Sequence, residues 1–266
     1  QPNAMGGREV GGLANQLAAH MDYSSEEMID RVGRFWNAPN MARSDGLKAV
    51  DLFEAVEAGK VKAIWIMGTN PVVSLPNADQ VKRALEACPL VVVSECIANT
   101  DTLKVANVCL PATGWSEKNG TVTNSERRIS RQRSLLPPSG ESRHDWWIVS
   151  EVAKRMGYGD AFAYEHPAQI FAEHAALSGF ENNGSRDFDI SLLQNIDEKA
   201  YDNLAPVQPN DAAPYGTARM FADGKFFTPS GRARFIPIIT RAPVQQPTAE
   251  QPLIMNTGRI RDQWHT

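Results

Sequence analysis

A chain of 266 residues with a 42% hydrophobic and a 22% charged share can bury a substantial core in one large domain or a little more. Its formal net charge of −4 and its lack of a basic stripe exclude an extended nucleic-acid surface, which needs many cations set against phosphates. No apolar run approaches the roughly 20 residues that cross a bilayer, so neither nucleic acid nor membrane is an expected partner, and a cytoplasmic location is expected.

The first stretch, Gln1 to Gly12 (QPNAMGGREVGG), is so rich in glycine that it reads as a loop whose backbone lies close to another part of the structure. Ser24 and Glu27 form an S-x-x-E capping box that opens a helix to about Phe35. Pro39 sits in a connector from Asn37 to Asp45. Leu47, Val50, Leu52, Phe53 and Val56 then recur at helical spacing before Gly59, which occupies a C-cap position. Val61 to Pro71 (VKAIWIMGTNP) reads as a strand apolar on both faces, as expected of a parallel strand covered by helices, feeding a turn at Gly68, Thr69, Asn70 and Pro71. Ligands gather at the carboxyl ends of such strands, although an ordinary strand-to-helix turn has the same pattern.

Asn77 or Asp79 caps a helix to about Ala87, and Leu90 to Val93 is a second apolar strand ending at Ser94 and Glu95. Strand, helix and strand make a βαβ unit with a right-handed crossover. Val105 to Pro111 is a third short strand. Pro111 to Asn124 (PATGWSEKNGTVTN) is polar and long for a connection, which favours function over mere linkage. Helices are expected over Arg143 to Met156 and Pro167 to Leu177, closed by Gly157 and Gly179. After Gly179 the apolar residues are isolated. Asn203 to Tyr215 is expected as extended surface chain, and Phe221, Phe226 and Phe227 around Asp223 and Gly224 as a hairpin, with Arg232 to Ile238 as the next strand. Ala242 to Pro252 is a linker by composition, and Leu253 begins another strand. The fold class is therefore α/β: a largely parallel sheet with flanking helices over 1–195, an irregular segment with a hairpin over 196–248, and the start of a β-rich domain over 249–266.

Cys88, Cys96 and Cys109 lack any C-x-x-C pairing and lie in or beside apolar runs, so buried free thiols in a reducing compartment are expected. The five histidines, His20, His144, His166, His174 and His265, show no metal-ligand spacing. No Walker loop or nucleophile elbow occurs. Arg8, among Gly6, Gly7, Gly11 and Gly12, suits an oxyanion through charge-assisted hydrogen bonds, or is a solvated surface arginine. Lys118, beside Glu117, could meet a phosphate or a polar heterocycle, or could close a loop salt bridge. Arg127, Arg128, Arg131 and Arg133 are either a track for a dinucleotide phosphate or a wet face.

Taken in order, QPNAMGGREVGG, WIMGTNPVVSLPN, VVVSE, LPATGWSEKNGTVTNSERR, GESRHDWW and MNTGRIRDQWHT resemble the molybdopterin oxidoreductases that carry a bis-guanine-dinucleotide cofactor. Within that family, MGGREVGG, AYDNLAPVQP and FADGKFFTPSGRARF are most similar to the catalytic subunits of bacterial assimilatory nitrate reductases. The resemblance implies a sheet that binds molybdopterin guanine dinucleotide. Gly68 and Asn70 match the loop after one strand, and Ser94 and Glu95 the end of the next, where the family usually has Asp in place of Glu95. Lys118 and Asp145 match cofactor contacts in E-K and D-W motifs. Gln1 and Arg8 match the loop over the metal, with Arg8 steering nitrate. Thr257, Gly258, Arg259, Trp264, His265 and Thr266 match the stretch that wraps the pterin.

The implied reaction is reduction of nitrate to nitrite by oxygen-atom transfer at molybdenum, fed by an electron-donor protein or reductase subunit. The family's cysteine cluster for a 4Fe-4S centre is absent, as is its molybdenum-ligating cysteine, and Cys88, Cys96 and Cys109 match neither motif. The chain is thus expected to be a central to C-terminal portion of a longer catalytic subunit, inactive alone and without metal ligands. A portion of a molybdenum formate dehydrogenase and a non-catalytic α/β interaction module are the alternatives.

Overall fold

In the computed structural model, which describes residues 3–208, 219–243 and 246–255, the glycine-rich start is helical: α1 spans Ala4–Glu9. This corrects the expected loop. The close backbone approach that the glycines permit is within the chain itself. A Cβ at Gly6 would collide with the Asn3 side chain, and one at Gly11, where φ is 77°, would stand 2.6 Å from the Ala18 nitrogen. Two short strands, β1 (Gln16–Leu17) and β2 (Met21–Asp22), pair antiparallel before α2 (Glu26–Phe35). The N-cap of α2 is Ser25 rather than Ser24, and the capping box does not form. The backbone N–H and hydroxyl of Ser24 donate instead to Asp22.

The α3 helix (Ala49–Glu57) leads into β3 (Ala63–Met67). The short α4 (Pro71–Ser74) and α5 (Ala78–Ala87) carry the chain to β4 (Leu90–Glu95), and β5 (Val108–Pro111) completes a parallel sheet ordered β3-β4-β5. Register sets Met67 beside Ser94 and Glu95 beside Pro111, so the three carboxyl ends lie close to level. The stretch expected as a long connection holds β6 (Gly120–Thr123), which forms an antiparallel hairpin with β7 (Ile129–Gln132). Three helices follow: α6 (Asp145–Ala153), α7 (Pro167–Gly179) and α8 (Glu198–Asp202).

Two hydrophobic cores result among the described residues. One joins the sheet to α3 and α5 through Phe53, Val56, Ile66, Leu85, Val91 and Val93. The other gathers distant segments through Met21, Ile29, Val32, Phe171, Phe188 and Tyr201. The expectation that β3 is covered on both faces is corrected: only Ile66 is fully buried, and Ala63 and Met67 are exposed. β3 is an edge strand, and the core meets the sheet face that carries Ile66, Val91 and Val93, leaving the alternate positions more open. For the same reason Cys109, on the opposite edge strand, and Cys96, just past β4, are exposed, and only Cys88 is buried. Burial was expected of all three.

No strand forms among the described residues of 219–243 and 246–255. Phe235, Ile238 and Leu253 are 96%, 91% and 89% exposed, and a lone extended segment without a ladder partner is not a stable strand. The hairpin around Asp223 and Gly224, the strand from Arg232 to Ile238 and the strand beginning at Leu253 are therefore not formed there. No helix among the described residues is long and apolar enough to cross a membrane.

Candidate functional site

The candidate residues at the strand ends are held by bonds that span the sheet. At the end of β3, Gly68 turns the chain with φ 59°, and its N–H donates to the Ser94 carbonyl at 3.0 Å. A left-handed φ of this kind favours glycine. Asn70, the N-cap residue of α4, accepts at Oδ1 from the Thr102 hydroxyl at 2.6 Å and the Thr102 N–H at 3.2 Å. Its oxygen is thus committed internally, and its Nδ2 donors are what it can offer a ligand. Ser94 is 1% exposed, and its hydroxyl accepts from the Trp65 indole N–H at 2.8 Å. It supports the turn from beneath rather than presenting a free hydroxyl.

Glu95 ends β4 and lines a cavity of about 530 Å³ that opens past the carboxyl ends of β4 and β5. Ile97, Leu103 and Leu110 supply apolar walls, and Lys104 and Glu117 polar ones. Glu95 Oε1 accepts from the Cys96 N–H at 2.8 Å. Burial, and then the Glu95 carboxylate, push the Cys96 thiol above its ordinary value, so it is not an activated nucleophile. Glu117 fastens the far wall: Oε2 accepts from the Gly114 N–H at 2.6 Å and Oε1 from the Ser139 N–H at 3.0 Å and the Ser139 hydroxyl. These bonds, that of the Ser139 hydroxyl first, hold its carboxyl below the usual value.

Lys118 and Asp145 come together across 27 residues as an ion pair, Nζ to Oδ2 at 2.5 Å. Arg143 brings Asp145 there. It bridges Ala112 in parallel beside β5, and its N–H donates to the Pro111 carbonyl at 3.0 Å, so α6 begins at the same end of the sheet. Both side chains are about one-third exposed, at 34% and 37%. Gly68, Asn70, Lys118 and Asp145 do not line the cavity that Glu95 lines. Arg8 is exposed on α1, away from this group in sequence. Gln1, Thr257, Gly258, Arg259, Trp264, His265 and Thr266 lie outside the described residues.

Three arginines of the cluster after Lys118 are tied to other parts of the chain, although Arg133 remains exposed. Arg127 pairs with Asp187 Oδ2 at 2.7 Å. Arg131 is 9% exposed, lies 3.9 Å from the centre of the Tyr201 ring and pairs with Asp202. Arg133 donates to the Asp202 carbonyl at 2.8 Å. Sequence reasoning also missed Thr102 and Ser139. Both are small hydroxyl residues whose partners lie more than twenty residues away, and nothing local marks them.

The donors and acceptors at the strand ends are of kinds that a polar heterocyclic cofactor can engage. The apolar walls from Ile97, Leu103 and Leu110 suit a heterocycle and the Glu95 carboxylate can accept from a donor edge, while outside the cavity the Asn70 amide and the Lys118 ammonium can meet polar or anionic groups. Among the described residues, no group of three or more His, Cys, Asp or Glu could hold a metal ion. The described elements form an α/β fold with a parallel sheet, the class in which ligands gather at the carboxyl ends of strands. The molybdopterin oxidoreductase family model matches residues 4–155, and the chain belongs to that family. Over its whole length it is 51% identical to a nitrate reductase of Klebsiella oxytoca, of which it covers 30%. It is also 33% identical to the F420-dependent formate dehydrogenase subunit alpha of Methanocaldococcus jannaschii, of which it covers 37%. Among solved structures, acetylene hydratase from Pelobacter acetylenicus aligns with TM-score 0.52 and 19% identity, over 71% of this chain and 24% of that one. That likeness shows the shared fold. The chain thus spans about a third of the length of the relatives it matches.

Proposed function

We propose that this chain is the cofactor-binding portion of an assimilatory nitrate reductase catalytic subunit, holding molybdopterin guanine dinucleotide at the carboxyl ends of β3 and β4. The observation that carries the reading is the cavity that Glu95 lines past the ends of β4 and β5, with the β3 turn and the Lys118–Asp145 pair lying outside it. The 51% identity to a nitrate reductase, against 33% to a formate dehydrogenase, favours nitrate as the substrate. In this reading Glu95 accepts hydrogen bonds from the guanine or ribose, and Gly68 leaves room for the approaching ligand. Asn70 donates through Nδ2, and Lys118, held by Asp145, meets a phosphate or polar ring atom. When bound, the cofactor supplies the redox chemistry of oxygen-atom transfer. Arg8 offers a planar pair of N–H donors to nitrate and offsets charge on departing nitrite.

The reading extends to Gln1 near the metal and to 257–266 around the pterin. It assigns 1–195 to cofactor binding, 196–248 to an irregular segment and 249–266 to the start of a second dinucleotide-binding domain. A 4Fe-4S cluster and an electron-donor protein or reductase subunit belong to the longer, cytoplasmic protein, and the chain alone is inactive. The test is kinetic. Full-length protein with a reduced viologen should produce nitrite and should not oxidise formate. Arg8→Ala should lower kcat/KM for nitrate by at least about tenfold, or about 1.4 kcal/mol. Unchanged kinetics remove Arg8 from the site, and formate oxidation in place of nitrate reduction overturns the substrate.

A further inference from the structure

With six residues, α1 is too short to hold its own conformation in water, so its rotation is set by what its inner face grips. Gly6 and Glu9, about one turn apart, are its buried residues, whereas Arg8 points outward and is exposed. Glu9 is 3% exposed. Its Oε2 accepts from the Thr123 hydroxyl at 2.7 Å, and its backbone carbonyl accepts from the Ala19 N–H at 2.7 Å. At the other end of the helix, the Asn3 side chain accepts from the Thr123 N–H at 2.8 Å. The last residue of β6 is therefore gripped from both ends of α1.

The second oxygen of Glu9, Oε1, is buried without a hydrogen-bond partner. An unsatisfied buried acceptor costs stability, so a group tolerated there is more than filler. The charged groups that bear on it are Arg127, His20 and Asp187, and these are engaged with each other: His20 Nδ1 lies 2.7 Å from Asp187 Oδ1, and Arg127 pairs with Asp187 Oδ2.

We infer that Glu9, through Thr123, is a positioning residue that fixes the rotation of α1 and with it the direction in which Arg8 presents its guanidinium to an oxyanion. A helix turns about 100° per residue, so a slip of one position on the inner face would carry Arg8 a quarter-turn or more away. The inference rests on the reading of Arg8 given under Proposed function.

The test uses the full-length enzyme, with steady-state nitrate kinetics and amide hydrogen exchange of residues 4–9. Glu9→Ala and Thr123→Val should each raise KM for nitrate at least about fivefold while kcat stays within about twofold. Glu9→Gln, whose side-chain oxygen can still accept from Thr123, should restore KM to within about twofold. Exchange in α1 should quicken in Glu9→Ala and Thr123→Val and not in Glu9→Gln. A merely structural role would lower the melting temperature of the protein without this split of KM from kcat. If Glu9→Ala does not fold, the nearly isosteric Thr123→Val carries the test. Unchanged KM in both variants, with Arg8→Ala still impaired, overturns the inference and leaves the reading of Arg8 standing. Unimpaired Arg8→Ala overturns both.

Discussion

Around the parallel sheet, polar side chains gather at strand ends beside an open cavity of about 530 Å³. Around α2, α7 and α8 they are instead closed into bonds with one another: Arg127 with Asp187, Arg131 with Asp202 and the Tyr201 ring, and Arg31 with Glu181. The first region keeps bonding capacity in reserve, as in the Nδ2 of Asn70 and the partly exposed Lys118–Asp145 pair. The second commits its charges to holding distant segments together. Charge density in the sequence is therefore a poor guide to the ligand. The densest run of arginine belongs to the closed region, and the candidate ligand groups are sparse.

Breaking the closed region should cost the most. Phe188 is fully buried, with the rings of His20 and His174 each 5.2 Å from its own. Phe188→Ala should cost about 3–5 kcal/mol by urea unfolding, and a loss under about 1 kcal/mol would show that this core does not carry the fold.

Next comes a pH effect in the same region. Burial, and then the His20 charge, hold His174 down to about 4 from an ordinary value of 6.5. The unfolded chain therefore takes up a proton that the folded one refuses, and stability falls as pH drops from about 6.5 towards 4. The expected loss is on the order of 2 kcal/mol, less than the whole shift implies because the ring keeps some solvent contact. His174→Gln should flatten urea-derived stability across that window, and an equally steep profile in the variant would assign the loss elsewhere.

At the strand ends, Asn70→Ala leaves the Thr102 N–H and hydroxyl without their acceptor and should cost about 1–3 kcal/mol. Thr102→Val should remove the same link, so the double variant should be clearly less destabilised than the two losses added. Full additivity would mean that the bond is not shared. The smallest effect is expected at the Lys118–Asp145 pair. Exposed as it is, Lys118→Ala should change stability by less than about 1 kcal/mol. A larger loss would move that pair from the ligand-facing region to the structural one.

What was legible in the sequence divides along the same line. The strands β3 and β4, the helix between them and the turn at Gly68 follow from apolar runs, helical spacing and a glycine, all local signals. So does the match of ordered motifs to the molybdopterin oxidoreductases. The closed region is built from pairs such as His20 with Asp187, 167 residues apart, and Arg131 with Asp202, 71 apart, which no local pattern reveals. α1 was hidden because glycine signals a loop, whereas Gly6 leaves room in the helix for the Asn3 side chain. The exposure of Cys96 and Cys109 was hidden because an apolar neighbourhood does not tell an edge strand from a central one. Asn70 was read as a ligand amide, and half of it is the anchor of Thr102.

The role of Glu95 is tested most directly by acid release of guanine nucleotide from purified full-length protein, with Glu95→Ala beside the parent. Loss of a charge-assisted acceptor, about 1.5–3 kcal/mol, should weaken retention at least about tenfold, leaving the variant folded but depleted of guanine nucleotide. Guanine nucleotide at the parent's stoichiometry in Glu95→Ala would contradict a cofactor site at the end of β4.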